Sequence, residues 1–158
     1  MLEAGSEAPD FEGTTATGTR LKLSSLRGRP VVLYFYPKAG TLGCTAEARS
    51  FADYYPALRE RGVEVVGVSV DDVARQGAFA QKCSVPFPLV ADADRSIARR
   101  FGVLGAFGVA RRVTFLLDAD GRVMRVVESV LPGRHVAEAR EAFLAGPAVG
   151  DARDRPPV

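Results

Sequence analysis

The stretch VVLYFYPKAGTLGC, residues 31–44, decides the fold. Its first six residues are β-branched, aromatic or leucine, which is typical of a central strand buried on both faces. A loop from Pro37 to Gly43 follows. Apolar residues then recur with the spacing of one helix face, at Ala48, Phe51, Ala52 and Tyr55. The stretch therefore predicts a strand, a loop and a helix in succession.

The next apolar run completes a βαβ unit. Residues 63–70, VEVVGVSV, predict a second strand parallel to the first, and we expect Pro56 to kink or end the intervening helix early. Spacing and turn residues predict the other elements: an N-terminal hairpin around Thr17-Gly18, helices at about 73–83 and 95–101 capped by Asp71-Asp72 and Asp94, a hairpin of 113–117 and 122–128, and a last helix at 135–145. The predicted fold class is α/β, with a mixed central β-sheet flanked by helices on both faces.

Length and composition predict one soluble domain. The chain has 158 residues, 47% of them hydrophobic and 25% charged, as in ordinary globular proteins. We assign the domain to 1–146 and a Pro/Gly/Arg-rich C-terminal tail to 147–158. The 21 Lys and Arg are scattered among 19 Asp and Glu, which argues against a nucleic-acid partner. With neither a secretory leader nor an apolar run of membrane-spanning length, we expect a cytoplasmic protein with no membrane partner.

The loop after the first buried strand is where open α/β sheets place functional sites. Cys44 lies in the first turn of the predicted helix, where unpaired backbone N–H groups and the positive end of the helix dipole favour the thiolate. Thr41 precedes it by three residues, so its hydroxyl can point into the same cavity, and Pro37 can shield that cavity from water. The cation that such a site needs is expected from Arg111 or Arg112.

Three segments resemble a known family: VVLYFYPK at 31–38, Pro37-x-x-x-Thr41-x-x-Cys44 with Thr45 and Glu47, and Arg112-x-Thr114-Phe-Leu-x-Asp118. They are similar to the bacterioferritin-comigratory, or Q-type, branch of the peroxiredoxins, and the resemblance spans about residues 5–145. It implies a thioredoxin-like fold. It also implies reduction of hydrogen peroxide or organic hydroperoxides without a metal or a bound organic cofactor.

The resemblance implies roles for individual residues. Cys44 is expected to be the peroxidatic cysteine, which becomes a sulfenic acid. Thr41 and Arg112 are expected to hold and polarise the peroxide oxygens, Gly43 to contribute to the substrate-binding loop, and Pro37 to shield the pocket.

Glu47 lies one helical turn after Cys44. A carboxylate there opposes ionisation of the thiol unless it is turned toward a cation. We therefore expect Glu47 to support the site as the orienting partner of Arg112.

The second half of the cycle depends on Cys83. Many relatives carry a resolving cysteine five residues after the peroxidatic one, where this chain has Arg49; another subset is similar to this chain in using the location of Cys83. We expect an intramolecular Cys44–Cys83 disulfide, reduced by thioredoxin or a similar dithiol. Packed helices lie about 8–10 Å apart and a disulfide needs Cα atoms within about 7 Å, so the first turn of the Cys44 helix must unwind.

Other interpretations remain open. If Cys83 is only a core residue, the protein is a one-cysteine peroxiredoxin resolved by an external thiol. A non-catalytic thioredoxin-fold binding module is a further alternative. Glu47 stands where a Cys-x-x-Cys reductase needs its second cysteine, and we expect His135 to be a surface residue rather than a base. By resemblance, the protein is expected to be a monomer.

Overall fold

The computed structural model describes residues 1–145. The predicted tail, 147–158, and the last residue of the predicted domain, Gly146, lie outside the described residues. The strands are β1 (Glu12–Thr15), β2 (Arg20–Lys22), β3 (Val31–Phe35), β4 (Glu64–Ser69), β5 (Leu89–Ala91), β6 (Val113–Leu117) and β7 (Val123–Glu128). The helices are α1 (Leu42–Glu60), α2 (Val73–Cys83), α3 (Ser96–Arg100) and α4 (Pro132–Phe143).

The strands form one mixed sheet in the order β2-β1-β5-β4-β3-β6-β7. At its centre β3 pairs in parallel with β4 and antiparallel with β6. The predicted N-terminal hairpin is present as β1 and β2, and it joins the sheet through antiparallel pairing of β1 with β5. All five residues of β3 are buried, as its composition predicts.

Helices cover both faces of the sheet, which confirms the predicted α/β class. Tyr34 of β3 and Leu116 of β6 belong to an apolar cluster with buried residues of α1, α2 and α4. On the opposite face, Leu33 and Phe115 pack with Phe101, beside α3. Successive residues of a strand point to opposite faces, so β3 contributes to both cores.

Some predicted boundaries are wrong. Pro56 does not end α1, which continues to Glu60. Proline removes one backbone hydrogen bond, but Tyr55 and Leu58 on either side of it are buried, so packing keeps the last turn helical. α3 is capped mainly by Asp92, whose carboxylate accepts hydrogen bonds from two backbone N–H groups, and Asp94 accepts only from Ser96.

The pairing of β3 with β6 positions the site. Phe35, the last residue of β3, lies opposite Val113, the first residue of β6. The loop that leaves β3 toward α1 therefore begins next to Arg112, although 68 positions separate Cys44 from Arg112. Among residues 1–145, no helix is both long and apolar enough to cross a bilayer.

Gly67 of β4 tests the packing between the sheet and α1. A Cβ atom at this position would lie 2.7 Å from Leu89 Cδ2 and 2.9 Å from Tyr34 Cζ. We expect Gly67→Ala to lower the free energy of unfolding by about 1–3 kcal/mol, because an extra methyl in a full core forces its neighbours to shift. Urea unfolding measures the change.

Gly133→Ala is the matched control, because a Cβ atom at Gly133 meets nothing within 4 Å. We expect it to leave the stability unchanged or raise it by up to about 1 kcal/mol, since alanine favours a helix over glycine. Equal destabilisation by the two substitutions would contradict the packing argument.

Candidate active site

Cys44 is the third residue of α1 and is 1% exposed. The first intrahelical hydrogen bond runs from the N–H of Thr45 to the carbonyl of Thr41, so the preceding N–H groups of Gly43 and Cys44 lack helical partners. The Cys44 thiol is free. A sulfur at this place combines burial with the positive end of a helix dipole.

The Arg112 guanidinium bridges Cys44 and Glu47. Its Nη2 lies 3.4 Å from Cys44 Sγ, and its Nη1 lies 2.5 Å from Glu47 Oε1. The Arg112 side chain is only 10% exposed and that of Glu47 is fully buried. The contacts expected from the sequence, Arg112 with the sulfur and Glu47 with Arg112, are therefore both present.

Burial shapes the charges of this group. It raises the pKa of Glu47 to about 7, although the Arg112 guanidinium acts to lower it. Burial also acts to lower the pKa of Arg112, but Glu47 and Cys44 raise it above its ordinary value. Arg112 therefore stays positively charged, and Glu47 is the member of the pair whose charge changes near neutral pH.

Gly43 allows the close approach of Arg112. A Cβ atom at this position would lie 3.0 Å from Arg112 Nη2 and 3.7 Å from Pro132 Cγ. Glycine therefore leaves room for the guanidinium above the first turn of α1.

The structure places Thr41 at the N-cap of α1, but its side chain makes no capping hydrogen bond. Its hydroxyl instead donates to the carbonyl of Lys38, at 2.9 Å. The loop itself is tied to the end of β4, because the N–H of Ala39 donates to Asp71 Oδ2 at 2.7 Å, and Ser69 Oγ donates to the same oxygen. The position of the loop thus depends on the buried Asp71 carboxylate.

An open cleft adjoins the guanidinium. We call it the peroxide cleft; it is lined by Pro37, Arg111, Arg112, Glu128, Ser129 and Val130. Pro37, which is expected from the sequence to shield the pocket, is half-buried and lines this cleft. Arg111 is turned away to the surface and pairs with Glu128, so Arg112 is the arginine that reaches the sulfur.

Cys83 is the last residue of α2 and is 6% exposed. It belongs to the same apolar cluster as Cys44, and its thiol is also free. Beside it lies a second cleft whose α1 side includes Arg49 and Asp53. The two cysteines thus lie in one layer of the molecule, on helices that contact each other.

His135 corrects the sequence analysis. It is fully buried rather than at the surface, because α4 begins at Pro132 and turns His135, Val136 and Ala139 inward. Burial lowers the pKa of His135, and its Nδ1 lies 4.0 Å from Glu47 Oε2. The last helix, predicted at 135–145, runs from Pro132 to Phe143. His135, Val136 and Ala139 share its buried face, a spacing that the prediction overlooked.

A buried cysteine at a helix N-terminus, facing an arginine that a carboxylate orients, defines a thiol peroxidase on this fold. The family model that matches residues 4–126 is the AhpC/TSA family. The putative peroxiredoxin bcp of Coxiella burnetii is 40% identical over 144 residues, which cover 87% of this chain and 95% of that protein.

Solved structures agree in fold. The peroxidoxin BcpB of Mycobacterium tuberculosis superposes with a TM-score of 0.82 at 37% identity, covering 90% of this chain and 96% of that one. A Xanthomonas campestris bacterioferritin comigratory protein, solved in work on its alkyl peroxide reduction, gives a TM-score of 0.83 at 32% identity, with 90% and 98% covered. The chain belongs to the AhpC/TSA family of peroxiredoxins, and it is an enzyme that uses a thiol to reduce peroxide.

Glu47→Gln tests the buried carboxyl group. The folded protein holds the Glu47 proton up to about pH 7, whereas the unfolded chain releases it near 4.5. The contribution of Glu47 to stability therefore falls as pH rises between these values, and glutamine, which has no proton to lose, removes this contribution. We expect urea unfolding to show the parent losing stability relative to Glu47→Gln from about pH 4.5 to 7.

Gly133→Ala serves as the control for this titration, because it changes no ionisable group. Its difference from the parent should stay constant over the same pH range. A constant difference between the parent and Glu47→Gln would contradict the assignment.

Arg112→Lys tests the bridging guanidinium. Lysine keeps the positive charge, but one ammonium group lacks the planar fork that contacts Glu47 and Cys44 with separate nitrogens. We expect the rate constant for Cys44 oxidation by hydrogen peroxide to fall by about 100-fold. Because the chain has no Trp, rapid quenching with intact-mass detection suits the measurement.

Arg125→Gln is the matched control, since Arg125 pairs with Glu138 and Glu141 at the surface. Exposed ion pairs contribute little, so the rate should stay within about twofold of the parent. Equal rates for Arg112→Lys and Arg125→Gln would refute the role of the guanidinium.

Proposed function

We propose that this chain reduces hydrogen peroxide and organic hydroperoxides at Cys44, resolves the resulting sulfenic acid through Cys83 as an intramolecular disulfide, and is recycled by thioredoxin or a similar dithiol. The observation that carries the proposal is the Arg112 guanidinium, which contacts both the Cys44 sulfur and Glu47.

In the first step the Cys44 thiolate attacks one peroxide oxygen. An S–O bond forms and the O–O bond breaks, so the sulfur is oxidised to the sulfenic acid, which keeps the hydroperoxide proton. The other oxygen leaves as hydroxide or alkoxide and takes from solvent the proton that the thiol released on ionisation, which gives water or an alcohol. Negative charge moves from sulfur onto the separating oxygens. Arg112 and the free N–H groups of Gly43 and Cys44 are donors placed where this charge develops.

Thr41 complements these donors. Its hydroxyl proton is committed to the Lys38 carbonyl, so its oxygen presents lone pairs to the O–H of a bound hydroperoxide. Pro37 at the edge of the peroxide cleft reduces access of water to the thiolate.

The peroxide cleft supports organic hydroperoxides as substrates. Pro37 and Val130 give it apolar walls beside Arg112, and Val130 is 85% exposed. An organic group can bury against these walls while its hydroperoxide end lies at Arg112, whose Nη2 is 3.4 Å from the Cys44 sulfur. The alkyl peroxide reduction described for the Xanthomonas campestris relative agrees with this substrate class.

Cys83 supports the resolving step. Its thiolate would attack the sulfenic sulfur of Cys44, an S–S bond would form, and the sulfenic oxygen would leave as water once protonated. Cys44 lies within an intact helical turn, so that turn must unwind. Cys83 ends α2 next to Ser84, whose left-handed φ of 51° closes the helix, so only the end of α2 has to move.

One thiolate of the dithiol reductant then attacks the Cys44–Cys83 disulfide and forms a mixed disulfide. Its second thiolate attacks that bond, so both cysteines return to thiols and the reductant is oxidised to a disulfide. We place the cycle in the cytoplasm, where such a reductant is kept reduced. We assign it to the monomer, as the family resemblance implies, with both cysteines of the proposed disulfide in one layer of the same chain.

Intact mass after one equivalent of peroxide tests the cycle. We expect the parent to lose about 2 Da through the disulfide, and Cys83→Ser to gain about 16 Da as the sulfenic acid and about 32 Da in excess oxidant. Cys44→Ser should show none of these mass changes. In a coupled assay, thioredoxin and its reductase should sustain peroxide consumption by the parent only.

The opposite results are equally clear. A parent that gains about 16 Da with Cys83 intact, and that consumes peroxide only with an external monothiol, makes the enzyme a one-cysteine peroxiredoxin. Reaction in Cys44→Ser would overturn the assignment of the peroxidatic cysteine.

A further inference from the structure

His135 connects three parts of the molecule through two hydrogen bonds. Its Nε2 lies 2.8 Å from the carbonyl oxygen of Ser129, and its Nδ1 lies 2.8 Å from Thr114 Oγ1. A carbonyl only accepts, so Nε2 carries a proton and donates to Ser129. In a neutral ring Nδ1 is then the acceptor, and the Thr114 hydroxyl donates to it.

Burial favours this neutral ring. His135 is fully buried, and burial lowers its pKa. The charged groups nearest to it are Glu47 of α1, Arg112 next to β6, and Arg134, whose side chain lies on the exposed side of the same helix. Neither arginine favours a second proton on the ring. The hydrogen-bond pattern around His135 is therefore set at neutral pH.

The segment held by His135 is one wall of the peroxide cleft. Residues 129–131 connect β7 to α4, and Ser129 and Val130 line the cleft. Val130 and Leu131 are 85% and 64% exposed, so little packing holds this segment. Its other hydrogen bonds are local: the N–H of Leu131 donates to Ser129 Oγ at 3.1 Å, and the N–H of Arg134 donates to the Leu131 carbonyl at 3.1 Å.

The opposite end of the connection is the strand that begins after Arg112. Thr114 lies two residues after Arg112, and their side chains meet the same buried pair: Thr114 contacts His135, and Arg112 contacts Glu47, whose Oε2 lies 4.0 Å from His135 Nδ1. Through Thr114 and Ser129, His135 thus ties one wall of the cleft to the chain segment that carries the guanidinium. The distance between wall and guanidinium limits the size of the organic group that fits.

We propose that His135 is a positioning residue that fixes the 129–131 wall of the peroxide cleft and thereby favours bulky organic hydroperoxides over hydrogen peroxide. The inference rests on the proposed use of this cleft by the organic group of the substrate. His135 transfers no proton in this role; it acts through the hydrogen bond from its Nε2–H to the carbonyl of Ser129.

Two substitutions of His135 distinguish the roles of its two ring nitrogens. His135→Gln can place an amide N–H near the position of Nε2 and keep the bond to Ser129. His135→Asn reaches only the position of Nδ1 and loses that bond. Arg134→Gln, on the exposed side of the same helical turn, is the matched control.

The measurement is the rate constant for Cys44 oxidation by cumene hydroperoxide and by hydrogen peroxide, followed by intact mass without any reductant. We expect His135→Asn to lower the rate constant for cumene hydroperoxide, divided by that for hydrogen peroxide, by about 10-fold. This is the effect expected from the loss of one buried hydrogen bond. The ratio should stay within about threefold of the parent in His135→Gln and be unchanged in Arg134→Gln. Hydrogen peroxide also monitors folding, because a misfolded site loses both reactions.

Three results overturn the inference. If His135→Asn leaves the ratio of the two rate constants unchanged, the hydrogen bond to Ser129 does not control substrate preference. An equal loss of both reactions in His135→Asn and His135→Gln means that the ring acts on the Glu47–Arg112 pair or on folding. A parent that oxidises with hydrogen peroxide but not with cumene hydroperoxide overturns both this inference and the proposed organic substrates. In the first two cases the parent's cumene hydroperoxide reaction and disulfide formation stay intact, so the proposed function stands.

Discussion

The contact of one guanidinium with a sulfur and a carboxylate is the interaction on which the rest of the site depends. Arg112 reaches Cys44 with one nitrogen and Glu47 with another, in a place where water has little access. A buried carboxylate is costly unless a cation compensates it, and a buried guanidinium is costly without an anion. Each group therefore makes the burial of the other tolerable. The planar fork of arginine also aims the second nitrogen at the sulfur, which an ammonium group cannot do.

The fold positions this contact through the register of strand pairing and through hydrogen bonds that hold the loop before Cys44. Pairing of Phe35 with Val113 brings the start of β6 to the end of β3, so Arg112 arrives beside the loop that leads to Cys44. Asp71 holds that loop from the end of β4, and Gly43 leaves space for the guanidinium. These positions come from backbone pairing and backbone donors, which are more rigid than side-chain contacts. The site is thus preorganised before peroxide arrives.

In the proposed cycle, the rigidity that the first step needs conflicts with the movement that the second step needs. A helical, buried Cys44 suits attack on peroxide, yet a disulfide with Cys83 requires its helical turn to open. Both cysteines lie in the layer formed by α1, α2 and α4, so opening exposes part of one apolar cluster and leaves the opposite core intact. Such local unfolding is less costly than global unfolding. With two separate cores, the proposed movement of one layer would leave the sheet and the other core to hold the fold.

The sequence alone determined the α/β class, helix 73–83, the two hairpins and the strand predicted at 31–36, which ends at Phe35, because periodicity and turn residues are local signals. A short motif identified Cys44 and Glu47, and the family resemblance selected Arg112 over Arg111. The tertiary structure decided what depends on distant neighbours. Pro56 remains inside α1 because residues beside it are buried, and the Thr41 hydroxyl turns to Lys38 rather than to its helix. His135 is buried because α4 packs over Thr114 and Ser129. Burial and hydrogen-bond partners are properties of the packed chain, and no local pattern contains them.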